Sequence, residues 1–184
     1  MNSHYRHSRL TTVLLICILS VSCSAKPDLR AGQSVQMASY TDPLNDVVVS
    51  VRLSYATDGA FLLAATFTPP EGFHLYSKDL PRGGLNGQGR PTLLELATGS
   101  KMQPAGMLTE SVGAELAGYQ PDGLLVYPTG PVTLTLAVSL PDQTGWVEDT
   151  LSLTYTACTA SVCLAPTVGK LVKVTIPGKG STTK

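Results

Sequence analysis

The stretch "TLSLTYTACTASVCLAPTVGKLVKVTIP", residues 150–177, sets two cysteines, with four residues separating them, between two extended runs. The flanking pieces "TLSLTYTA" (150–157) and "KLVKVTIP" (170–177) are short, rich in Val, Leu, Thr and Tyr, and partly alternating, which is the pattern of half-buried β-strands. Working outward, "DVVVSVRLSY" (46–55), "AFLLAATFTP" (60–69) and "PVTLTLAVSL" (131–140) read the same way. In the last of these Thr133 and Thr135 alternate with Val132, Leu134 and Leu136, so one face is wet and the other buried. Turn chemistry separates the runs: "TDG" at 57–59, "PPEG" at 69–72, "PTGP" at 128–131 and "PDQTG" at 141–145. A 3.6-residue period is hinted at only in "LTESVGAELAGY" (108–119), where Gly113 and Gly118 undermine a helix. The expectation is an all-β, immunoglobulin-like β-sandwich over residues 26–178, followed by a flexible tail at 179–184.

The N-terminus carries its own instruction. Arg6 and Arg9 precede an uncharged apolar stretch from Leu10 to Ser22, which is the layout of an export signal over residues 1–25. That stretch is shorter than the roughly 18–20 residues that span a bilayer as a helix. Two processing routes fit: lipoprotein-type cleavage before Cys23, which follows "LSVS" and would carry the lipid, or ordinary cleavage after Ala25 in "CSA". The implied compartment is the periplasm, with a lipid anchor under the first route. Either route leaves Cys158 and Cys163 as the free-thiol candidates and His74 as the histidine of the mature domain. Loss of Arg6 and Arg9 takes the 13 basic residues to 11 against 13 acidic ones, a formal balance of −2, which gives nucleic acid nothing to bind. About 160 residues remain, enough for one domain to bury a core without cysteine staples.

What the cysteine pair does has to be weighed among three chemistries. A zinc site needs four N or S ligands, and two cysteines with one histidine do not make one; Met37, Met102, Met107 and His74 lack the spacing of a copper site. No metal and no cofactor are expected. The glycines at 83, 84, 87 and 89 do not form a phosphate cradle, because Arg90-Pro91 leads into "TLLEL", which reads as extended and not as a helix start; Lys78–Arg90 reads as a surface loop. A structural bridge is the serious alternative to redox exchange. Closing a six-residue loop removes about 2 kcal/mol of unfolded-state entropy, against about 4.7 for a hundred-residue loop, so this pair is a poor staple. A bridge at a loop tip is also exposed, and exposed bridges are the readily reduced ones.

Two stretches together resemble the N-terminal periplasmic domain of the thiol:disulfide interchange protein DsbD. One is "LTYTACTASVCLAPTVGKLVKVTIP" (153–177), with Tyr155, Cys158, Cys163, Pro166 and a closing strand; the other is "EGFHLYSKDLP" (71–81), similar to that family's Gly-aromatic-x-Leu-Tyr strand. The resemblance implies a Cys158–Cys163 disulfide that cycles, with Cys163 forming the mixed disulfide and Cys158 resolving it. It implies supporting roles for His74 and Tyr76 beside the pair, for Tyr155 as a shield or core-edge residue, and for Tyr119 in place of the family's cap loop, whose acidic-aromatic motif "TESVGAELAGYQPDG" (109–123) lacks. His74 could lower a thiol pKa or pass a proton. The implied partners are a membrane thiol reductant and periplasmic thioredoxin-like or disulfide-containing proteins. The family member continues into transmembrane helices and a thioredoxin-like domain; with Lys184 as the last residue, a stand-alone version is expected, and an exported binding module with a purely structural bridge is the rival.

Overall fold

The computed structural model describes residues 26–119 and 121–183. The export signal, with Cys17 and the lipidation candidate Cys23, lies outside the described residues. In chain order the strands are β1 (Leu29–Arg30), β2 (Ser34–Thr41), β3 (Val48–Tyr55), β4 (Phe61–Thr68), β5 (His74–Leu75), β6 (Leu93–Leu96), β7 (Gln103–Pro104) and β8 (Thr109–Glu110). They continue with β9 (Glu115–Leu116), β10 (Leu125–Val126), β11 (Val132–Ser139), β12 (Trp146–Tyr155), β13 (Ala157–Cys158), β14 (Thr167–Pro177) and β15 (Thr182–Thr183).

One sheet runs β2-β3-β4-β11-β7, with β8 also paired to β11; the other runs β14-β12-β6. Alternation decides which side chains face inward. Val49, Val51, Leu53 and Tyr55 of β3, Leu63, Ala65 and Phe67 of β4, and Val132, Leu134 and Leu136 of β11 are buried on one sheet. Leu151, Leu153 and Tyr155 of β12 and Val172, Val174 and Ile176 of β14 meet them from the other. Thr66 and Thr133 face outward and hydrogen-bond each other at 2.8 Å across β4 and β11. Two antiparallel sheets sharing one apolar interior make this an immunoglobulin-like β-sandwich.

The region 108–119 forms no helix, in keeping with its two interrupting glycines; it contributes the short strands β8 and β9. One feature differs from the sequence expectation. The tail expected to be flexible is docked. Gly178 N, Lys179 N and Gly180 N donate to Gly145 O, Pro141 O and Gln143 O, and β15 pairs with β1 in parallel. Ser181 is buried and its Oγ accepts from Gly145 N at 2.7 Å. The physical reason is close backbone approach: a Cβ at Gly178 would lie 2.1 Å from Gln143 O, so only glycine lets the tail lie flat on the 141–145 turn.

A buried carboxylate ties the two halves together next to the cysteines. Asp42, fully buried just after β2, accepts hydrogen bonds from Tyr155 Oη (2.6 Å), Thr167 Oγ1 (2.9 Å), Lys170 Nζ (3.2 Å) and Leu44 N (3.1 Å). Burial alone would raise its pKa, but these donors, Tyr155 first among them, outweigh it and lower the carboxyl to about 2. Asn45 adds bonds to Ala165 O (2.9 Å) and Thr167 Oγ1 (3.0 Å). The segment that follows Cys163 is thereby fixed to the opposite sheet.

Candidate functional site: a bridged cysteine pair on a tight hairpin

After β12 the chain leaves its sheet, and β13 pairs instead with β5, setting Cys158 directly opposite His74. Thr159 then turns the chain: its N donates to Val162 O (2.7 Å), and its Oγ1 accepts from Val162 N (3.0 Å) and Ser161 N (3.3 Å). Leu164 N donates to Ala157 O at 2.9 Å, so Cys158 and Cys163 oppose each other as a non-hydrogen-bonded antiparallel pair. Such pairs have the closest Cα approach, here 4.1 Å, and the two sulfurs are bonded at 2.02 Å. Hydrogen bonds already close this turn, so the bridge adds little as a staple.

The two cysteines have unequal surroundings. Cys158 is fully buried in a small cluster with Tyr76, Leu80 and Leu124, separate from the main core, whereas Cys163 is exposed. Cys163 forms part of the wall of an open cleft of about 360 Å³ whose other walls include Tyr76, Gly89, Arg90, Tyr119 and Pro166. Cleft-lining Thr156 holds a buried hydroxyl with no hydrogen-bond partner among the described residues.

Aromatic side chains enclose the pair from two directions. Tyr76 follows β5, is buried, and brings its hydroxyl to 3.7 Å from Cys163 Sγ. Its ring lies under the glycine-rich loop, where a Cβ at Gly89 would stand 2.9 Å from it and where Gly89 holds a φ of +70°. Arg90 Nη1 holds that loop by donating to the carbonyls of Gly83, Gly87 and Gly89. Tyr119 comes from the hairpin of β9 and β10 and lies 2.7 Å, hydroxyl to Nε2, from His74. Burial lowers the pKa of His74, so the imidazole is neutral at pH 7. Burial first, and then the nearby Tyr119, raise that of Tyr76.

The structure thus brings Cys158, Cys163, His74, Tyr76 and Tyr119 together and leaves Tyr155 elsewhere. Tyr155 packs in the main core, its ring 5.3 Å from Phe67 and its hydroxyl on Asp42, so it neither shields the sulfurs nor lies at the core edge. Residues three apart on an extended chain point to opposite faces, which separates it from Cys158. Sequence reasoning missed Asp42, Thr156 and the clamp on the loop. The signal for the last is present in Arg90 beside four glycines, although the same composition also fits a plain surface loop. Among the described residues no cluster of three or more His, Cys, Asp or Glu side chains is placed to hold a metal.

No family model matches this chain, and no curated protein matches it. Among solved structures, the DsbD n-terminal domain of Neisseria meningitidis in the reduced form is similar over 78% of this chain and 84% of its own, with 12% identity and a TM-score of 0.40. Fold and site define an immunoglobulin-like sandwich bearing a bridged, half-exposed cysteine pair. Such a pair is compatible with thiol–disulfide exchange.

Proposed function

We propose that this protein is an exported thiol–disulfide exchange domain in which the Cys158–Cys163 bond opens and closes. The observation that carries the reading is the asymmetry of the pair: Cys163 is exposed on a cleft, while Cys158 is fully buried. Exchange proceeds by in-line attack of a thiolate on one sulfur, and the sulfur that can be reached is the one attacked. In the reductive half, a donor thiolate attacks Cys163 Sγ, the S–S bond breaks, and its electron pair leaves on Cys158. A second donor thiol then releases Cys163. In the oxidative half, the Cys163 thiolate attacks a partner disulfide, and Cys158 resolves the mixed disulfide from beneath.

The donor is a membrane thiol reductant and the acceptors are thioredoxin-like or disulfide-containing periplasmic proteins. The resemblance of the two sequence stretches supports both, and an N-terminal lipid on Cys23 is one route to placing the domain near the donor. The test is a trap. Cys158→Ala removes the resolving thiol, so mixed disulfides should accumulate on Cys163 in cell extracts and identify the partners by mass. Cys163→Ala should accumulate none. Equal trapping by the two variants, or none by either, would refute the reading.

A further inference from the structure

We infer that the cleft beside Cys163 binds a small disulfide that carries carboxylates, of the glutathione kind, with Arg90 taking a carboxylate; this rests on the exchange reading and adds a substrate class to it. The cleft measures about 360 Å³, at the low end of the roughly 300–1,000 Å³ of small-ligand sites. A protein partner of ordinary size covers about 800 Å² of surface instead. Cys163 is exposed on this cleft, so its sulfur limits a reacting ligand to thiol chemistry.

Charge narrows the ligand further. Among the described residues that line the cleft, Arg90 alone is charged, so no acidic side chain offsets it there. Its Nη1 makes all three bonds that clamp the glycine-rich loop, while Nη2 and Nε have no partner among the described residues. A guanidinium has five N–H donors in a planar fork, and two on one edge can take both oxygens of a carboxylate. The loop therefore fixes one end of the group and leaves the other for an anion. Thr156 adds a polar contact of a different kind. It is buried in the wall of the same cleft, and its hydroxyl has no partner among the described residues. A buried hydroxyl left unpaired is costly, and the amides of a peptide-like ligand have the chemistry to pair it.

The step balances with the reductant class already named. The Cys163 thiol loses its proton to solvent, and the thiolate attacks one sulfur of the bound disulfide. That S–S bond breaks, and its electron pair leaves on the other sulfur, which takes a proton and departs as a thiol. Cys158 then loses its proton and attacks Cys163 Sγ of the mixed disulfide. The bridge re-forms and the second small thiol departs protonated, so two electrons have passed from protein to ligand. The membrane thiol reductant restores the dithiol.

The test is a binding measurement that needs no exchange. The full chain is reduced with a phosphine, and alkylation of Cys163 by iodoacetamide is followed by mass spectrometry at pH 7. The probe is S-methylglutathione, which keeps the carboxylates and cannot react. At about ten times its dissociation constant it should slow alkylation about tenfold. Its diester, which has no carboxylate, should protect far less. Arg90→Gln should lose the protection and Arg90→Lys should keep part of it. Because Arg90 also clamps the loop, salt provides a check on the unaltered protein: protection should weaken from about 0.1 M to about 1 M NaCl, as the screening length falls from about 10 Å to about 3 Å. Unchanged alkylation well above the millimolar range, equal protection by the diester, or protection by an acidic peptide alone would overturn the site. If the Cys158→Ala trap succeeds without this protection, the small-ligand site falls alone. If S-methylglutathione protects but no mixed disulfide ever forms, the exchange reading falls and the binding site stands.

Discussion

Asp42 is the place where the fold's stability and the presentation of the cysteines depend on the same group, and its acid titration gives a number. The carboxyl is lowered from its ordinary 3.8 to about 2 by hydrogen bonds that outweigh its burial. A folded-state value below the unfolded one means the stabilisation is complete above about pH 4 and is lost as the pH falls through 2. The displacement of nearly two units corresponds to about 2 kcal/mol, or about 4–8 °C in Tm for a domain of this size. Urea unfolding of the unaltered protein and of Asp42→Asn, followed by tryptophan emission from pH 5 to 2, measures it directly. Asp42→Asn should be less stable at pH 5, and the gap should narrow by about 2 kcal/mol on reaching pH 2. Parallel loss of stability in the two proteins across that range would refute the anchoring role of this carboxylate.

Three further outcomes follow from the same geometry. Tyr155→Phe removes a 2.6 Å donor to the buried carboxylate and should cost about 1–3 kcal/mol in urea unfolding while leaving the alkylation rate of Cys163 unchanged. Gly89→Ala puts a side chain on a backbone at φ +70° and 2.9 Å from the ring of Tyr76, so it should destabilise by about 1–3 kcal/mol and change the rate at which dithiothreitol opens the bridge. Replacing both Cys158 and Cys163 by Ala should cost only about 2 kcal/mol, because the bridge closes a short loop; a loss above about 4 kcal/mol in calorimetry would mark it as a structural staple.

The sandwich was legible because its central strands alternate cleanly. In β3, β4 and β11 every second residue is apolar and buried, and a one-residue shift of register would expose the whole set. The strand β2, "SVQMASYT", was not legible, since an edge strand with half-buried Val35, Met37 and Ala38 has no fully apolar face to announce it. The docked tail escaped for a different reason. It is held by backbone bonds and by glycines that permit close approach, and neither leaves an apolar pattern. At the site, the cysteines and the "FHLY" strand could be read from local sequence, and their pairing follows from β5 meeting β13. Tyr119 was placed by position alone, whereas the Asp42 and Arg90 interactions join residues to backbone and side chains that no local pattern connects.

The most direct test of the central claim is the reduction potential of the Cys158–Cys163 bond, read by thiol titration in graded glutathione buffers. A bond that cycles should titrate at a potential above about −300 mV, within reach of thiol partners, whereas a bond that resists reduction below that value would show a structural bridge and contradict the account.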